Sequence, residues 1–156
     1  MNRTEPVCKG GTMVDPKGYY TIKNSFNQSH DRLTASMEDY LEMICRICQE
    51  EGGVRVNTLA RLLHVRPSSA SKMAGNLKDA GWINFEHYGL IVPTEAGWEQ
   101  GKYLLYRHQV VFDFLCALNE NDDQLAQTER IEHFLDRNTV NKLAALTKII
   151  KKESFS

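Results

Sequence analysis

Glu129, Glu132 and His133 are spaced i, i+3, i+4, so on a helix all three project from one face. Two carboxylates this close repel by about 0.2–0.5 kcal/mol unless a cation neutralises them. A second acidic pair with the same i, i+3 spacing, Asp39 and Glu42, lies far upstream, and His108 interrupts an otherwise apolar stretch between the two groups. Taken singly, acids on helices are usually solvated, and a histidine on an apolar face is usually a hydrogen-bonded core residue. Taken together, four carboxylates and two neutral imidazoles carry a charge of −4, which two divalent cations balance. Carboxylates that bridge two metals from the helices of a bundle, with the Glu-x-x-His type of spacing, are an established way to do this.

Such ligands need helices to hold them, and the sequence supplies them. Ser36 followed by Asp39 resembles a capping box with a shortened acid. Met37, Leu41, Ile44 and Cys48 then recur at helical spacing up to Gly52-Gly53, which predicts a first helix over 36–51. Asn57 is placed to cap a short second helix through Leu63, His64-Val65-Arg66 makes a turn, and Pro67 opens a third helix that Gly81 ends. Ile83, Phe85 and His87 alternate with polar residues, Tyr88-Gly89 offers a turn, and Leu90-Ile91-Val92 returns, which reads as a two-stranded wing. This order is that of a winged helix-turn-helix. Thr94 then caps a long helix over 95–118 whose stripe of Leu104, His108, Val111, Leu115 and Leu118 suits burial against partner helices. Two more helices, over 122–136 and 138–152, complete the chain. The expected class is all-α with a small β wing, a winged helix-turn-helix joined by the long helix to a helical metal-binding and dimerisation domain. The expected division is a low-order N-terminal extension over 1–33, a DNA-binding domain over 34–94 and the helical domain over 95–156.

The 156 residues carry a formal net charge of −1, but the charges are segregated. Residues 54–78 hold five Lys/Arg and no acid, whereas 34–53, 79–101 and 119–136 are acidic. A compact basic element in an acidic chain suits a phosphate backbone, because neutralised phosphates release counterions. The N-terminus of a recognition helix enters the groove, which makes Ser68, Ser69, Ser71 and Lys72, with Arg66 just before them, the expected DNA contacts. No long apolar run suggests a membrane span, and the first residues lack the apolar core of a signal peptide. The four cysteines are too few and too scattered for a disulfide scaffold, so the expected location is the cytoplasm. Cys45-x-x-Cys48 lies mid-helix without a second pair and is read as core packing, and Lys148, Lys151 and Lys152 complement the dipole of the last helix.

The run from Leu33 to Glu42, the turn and helix from Val65 to Met73, the segment Tyr106-Arg107-His108 and the run Glu129-Arg130-Ile131-Glu132-His133 resemble the metal-dependent repressors of the diphtheria toxin repressor family. The similarity is best to its manganese transport regulator branch and spans about residues 33–150. The resemblance implies that His108 and Glu42 serve one metal site, that Asp39 and His133 serve a second, and that Glu129 and Glu132 serve both. It further implies two Mn(II) ions per subunit, with Fe(II), Co(II) or Zn(II) as alternatives, and a homodimer that binds a palindromic double-stranded DNA operator. In the family's iron-responsive branch the positions matching Asp39 and Glu129 carry Met and Cys, so the harder carboxylates here imply manganese. Two departures are Arg130, where small residues are frequent, and Phe134, which replaces a polar residue. Ending at Ser156, the chain is expected to lack the additional C-terminal domain of the longer members.

The leading expectation is therefore a Mn(II)-activated repressor of metal-uptake genes. A metal-independent winged-helix regulator that senses an organic ligand would have no use for the six-ligand set. A dinuclear metalloenzyme would need an open coordination position in a substrate pocket, whereas these ligands bridge two substructures.

Overall fold

A computed structural model describes residues 33–85 and 89–153. The expected N-terminal extension, apart from Leu33, and the wing tip with His87 and Tyr88 lie outside the described residues. The chain from Leu33 onward forms one compact unit.

Helix α1 spans Ala35–Glu51. Its cap is Thr34 rather than Ser36: the Thr34 Oγ1 accepts from the Met37 amide at 3.3 Å, and Ser36 lies inside the first turn. Gly52 ends the helix at φ 73°, the left-handed conformation that glycine adopts without strain. A short strand, β1 (Val54–Arg55), follows immediately. It pairs antiparallel with β3, Val54 opposite Ile91 and Arg55 opposite Leu90, so the expected two-stranded wing is a three-stranded sheet in the order β1-β3-β2. Two residues are too few to show an alternating pattern, and helix α2 (Val56–Leu62) starts directly from the strand. The expected cap, Asn57, therefore lies within the helix and Arg55 stands at the capping position.

Helix α3 (Pro67–Asp79) begins at Pro67 as expected, where the missing amide proton costs nothing. Ala70, Ala74 and Leu77 form its buried face against the core of Leu41, Ile44, Leu59, Ile83, Ile91 and Leu104. Strands β2 (Ile83–Phe85) and β3 (Leu90–Pro93) pair with Ile83 opposite Pro93 and Phe85 opposite Ile91. Ile83 is buried, but Phe85 stays 38% exposed with the Lys78 ammonium 5.4 Å above its ring, so the apolar alternation does not reach the core.

Helix α4 (Glu95–Asn119) is capped by Thr94, whose Oγ1 accepts from the Gly97 amide at 3.0 Å. It packs against both α1 and the last helix, α6 (Arg137–Glu153). Leu104, His108, Val111 and Leu115 are buried as the stripe predicts, but Leu118, near the free end of the helix, is 56% exposed. The expected single helix over 122–136 is instead α5 (Leu125–Ile131) followed by a 3-10 turn, Glu132–Phe134. Asn121 delays its start by accepting the Asp123 amide at 2.8 Å. Its end is fixed by Asp136, which caps α6 by accepting from the Thr139 amide at 2.7 Å.

Close approach of α4 to α1 and to Trp82 before β2 depends on two glycines. A Cβ on Gly97 would overlap the Trp82 carbonyl oxygen, and one on Gly101 would overlap the Cys45 Sγ. The Cys45 thiol is buried and donates to the Gly97 carbonyl at 3.6 Å, while Cys48 donates to the Ile91 carbonyl, so the Cys-x-x-Cys pair packs the core. Overpacking costs about 1–3 kcal/mol. Gly97→Ala and Gly101→Ala are expected to lower urea stability by at least that much, and Cys45→Ala to recover most of the Gly101→Ala loss but none of the Gly97→Ala loss. Additive effects of Gly101→Ala and Cys45→Ala in a double-mutant cycle would contradict this packing.

Candidate metal centre and nucleic-acid interface

The ligand candidates come from three places in the chain. Helix α1 supplies Asp39 and Glu42, α4 supplies His108, and α5 with its 3-10 extension supplies Glu129, Glu132 and His133. Glu42, His108 and Glu132 converge, with one ligand atom from each lying within 4.8 Å of the others. The His108 Nδ1 is 3.2 Å from the Glu132 Oε1, 3.7 Å from the Glu129 Oε1 and 3.9 Å from the Glu42 Oε1. Asp39 and His133 form a separate pair, Asp39 Oδ1 to His133 Nε2 at 3.0 Å. His108 thus turns Nδ1 to its neighbouring acids, whereas His133 turns Nε2 to Asp39 and Nδ1 to Glu38.

Glu132 is 1% exposed, and its Oε2 is buried without a hydrogen-bond partner among the described residues. That oxygen faces the Arg107 Nε, likewise without a hydrogen-bond partner, at 3.8 Å, while Oε1 is the oxygen turned toward His108. An oxygen-rich set with two imidazoles suits a hard divalent ion of high coordination number, so the residues present fit the metal that the sequence implies.

Electrostatics agree with an incompletely neutralised acidic cluster. Burial, and then the neighbouring Glu132, raise the Glu129 carboxyl above the usual range. A hydrogen bond to Glu132 raises the His108 imidazole, and the hydrogen bond to Asp39, followed by that to Glu38, pushes His133 up to about 10. Glu42 is also held by Arg46, whose Nη2 donates to its Oε1 at 2.7 Å from one turn along the helix.

Two residues at this site were not anticipated. Arg107 is 3% exposed, its Nη2 donates to the Glu38 Oε2 at 2.7 Å, and its Nε lies 3.8 Å from the Glu132 Oε2. Burial alone would raise the Glu38 carboxyl, but hydrogen bonds from His133 and Arg107 outweigh it and hold Glu38 below its ordinary value. The signal was available: Arg107 is three residues beyond Leu104 on the buried stripe of α4, where a cation needs an acidic partner.

The residues expected to contact DNA lie together at the start of α3. Arg66, Ser68, Ser69, Ser71 and Lys72 are all exposed around the N-terminus of α3, opposite its buried alanines. Arg55, Arg61 and Lys78 are exposed too, so the five bases of residues 54–78 are all on the surface.

Residues 32–90 match the family described as iron dependent repressor, N-terminal DNA binding domain. The HTH-type transcriptional regulator MntR of Oceanobacillus iheyensis is 34% identical over 119 residues, covering 76% of this chain and 81% of the relative. Its counterpart in Bacillus subtilis is 34% identical over 121 residues, covering 77% and 85%. Among solved structures, the manganese regulator SloR superimposes with a TM-score of 0.66 at 19% identity, and the metal-dependent transcriptional regulator MtsR with 0.66 at 24%. Each alignment covers 74% of this chain and 55% of the other, so the chain spans about half the length of those structures. The chain belongs to the diphtheria toxin repressor family of transcriptional regulators, in the branch of the manganese transport regulators.

Proposed function

We propose that this chain is a Mn(II)-activated repressor of metal-uptake genes, a cytoplasmic homodimer that binds a palindromic operator. The observation that carries this reading is the convergence of Glu42, His108 and Glu132, from three separate segments, with one ligand atom from each within 4.8 Å of the others. Glu42, His108, Glu129 and Glu132 would hold one ion, and Asp39 and His133, with the same two glutamates, would hold a second. A bound divalent ion supplies positive charge that cross-links carboxylates which otherwise repel. Asp39 and Glu42 belong to α1, which packs on α3, and Glu129, Glu132 and His133 belong to the helical half. Drawing these residues together therefore fixes α1, and with it the reading helix, against residues 95–156. In a dimer this selects the separation of the two reading helices that matches both half-sites, a shift limited by the differential affinity for that state. Leu146 and Ile149, one turn apart on α6, are 44% and 54% exposed and supply apolar surface suited to the partner subunit.

Two measurements test this reading. A Mn(II) titration of the metal-free protein is expected to give two ions per subunit, and one or none would contradict the shared-carboxylate arrangement. Lys72→Ala is expected to weaken operator binding, leave the titration unchanged and reduce the slope of log K against log salt by about 0.9, the loss of one phosphate contact. Unchanged DNA affinity for both Lys72→Ala and Arg66→Ala would remove the N-terminus of α3 from the interface.

A further inference from the structure

Glu38 and Arg107, neither of them among the six ligand candidates, both meet the Nδ1 side of His133. The His133 Nδ1 is 2.8 Å from the Glu38 Oε2 and 3.1 Å from the Arg107 Nη2. A guanidinium only donates, so of these two neighbours Glu38 alone accepts the Nδ1 proton. The same Glu38 oxygen accepts from the Arg107 Nη2 at 2.7 Å, and the side chain of Arg107 is 4% exposed. The carboxylate is thus held in place from α4 while it reaches His133 from α1. With its Nδ1 proton directed at Glu38, His133 presents Nε2 to Asp39 at 3.0 Å.

We infer that Glu38 is a positioning residue for His133: it fixes the ring and its tautomer so that Nε2 is the ligating nitrogen, and Arg107 fixes Glu38. The inference rests on the metal-site reading above and assigns a role that the six-ligand set does not contain. A carboxylate behind a ligating imidazole raises its basicity and sets its orientation, and losing such a partner lowers metal affinity by about 10–100-fold. Charge bookkeeping is consistent, since Glu38 and Arg107 cancel and leave the ligand set at −4, still balanced by two divalent ions. Among the described residues His108 has no equivalent arrangement, because its Nδ1 already faces Glu132, Glu129 and Glu42. The effect of Glu38 is therefore specific to one of the two ions.

The test is a titration of the full chain with Mn(II) alone, read by the electron paramagnetic resonance signal of the free aquo ion, for the parent, Glu38→Ala and Glu38→Gln. Glu38→Ala is expected to weaken one of two binding steps by about 10–100-fold and leave the other within about threefold. Glu38→Gln retains an acceptor for the Nδ1 proton and is expected to recover most of that loss. Nitrogen-15 histidine spectra of the Zn(II)-loaded protein supply a readout that loss of packing would not move. The parent and Glu38→Gln should keep a protected Nδ1 proton on His133, and Glu38→Ala should lose it. Two unchanged binding steps in Glu38→Ala would overturn the inference while leaving the metal site standing. A Glu38→Gln protein that is folded but loses the protected proton would also overturn it, even if Glu38→Ala fails to fold. A parent that binds no Mn(II) would overturn both the inference and the reading beneath it.

Discussion

Replacing Glu132 by Gln is expected to abolish the Mn(II) response: at metal concentrations that saturate the parent, DNA affinity should remain at its level in chelator. Glu132 is the most buried of the six ligand candidates, 1% exposed, with Oε1 3.2 Å from the His108 Nδ1 and Oε2 3.8 Å from the Arg107 Nε. The change preserves shape but removes the charge that both ions are proposed to share, and charge-assisted contacts in a dry site are the strong ones. Mn(II) affinity should fall by at least about 100-fold for both ions, the upper end of what even an outer partner of a metal ligand costs. Exposed Glu129 shares the bridging role from a more solvated position, so Glu129→Gln should cost less. Helical content is expected to be unchanged in both variants. A Glu132→Gln protein that still responds to Mn(II) at the parent's concentrations would show that the buried acid is a structural partner of Arg107 only.

Mn(II) affinity is expected to rise steeply with pH, and metal-free stability to run the other way. Metal-free His133 holds its proton up to about 10, mainly through Asp39 and then Glu38, and His108 is raised through Glu132. Ligating nitrogens must be unprotonated, so binding releases protons, and each displaced proton adds about tenfold in affinity per pH unit while the free group is still protonated. Between pH 6.5 and 8.5 this gives at least one decade per unit from His133. Linkage has the opposite sign for folding without metal. A histidine whose folded value is raised contributes stability that is complete below its unfolded value of about 6.5 and is lost as pH rises toward 10. Melting temperatures in chelator should therefore fall across that window, and saturating Mn(II) should remove the fall. A titration with the same midpoint at pH 6.5 and 8.5 would contradict the protonated state of the metal-free site.

The parts of this design that show in the sequence are those written as local spacing. Pro67 at the start of α3 and Thr94 at the start of α4 each report on a single turn of chain, and each is found where its spacing puts it. Less visible were features set by partners distant in sequence. Strand β1 is two residues long and exists because Ile91 and Leu90 pair with it. The 3-10 turn at Glu132 depends on where Asp136 starts the next helix. Arg107 had the position of a buried residue and the chemistry of a surface one, and only the approach of Glu38 from α1 reconciles them. Spacing alone groups the six ligand candidates by helix; it is the family resemblance that pairs Glu42 with His108 and Asp39 with His133 across separate segments, and the fold brings Glu42, His108 and Glu132 together and leaves Asp39 with His133.

The central claim, that metal binding at this cluster controls sequence-specific DNA binding at α3, is tested most directly by selecting ligands for the full chain from a random pool of duplex DNA. Parallel selections would be run in Mn(II) and in chelator. A palindromic motif enriched only with Mn(II), its half-sites separated by whole helical turns of about 10–10.5 base pairs, is the predicted result. Enrichment of the same motif to the same degree in chelator, or of none in either condition, would contradict it.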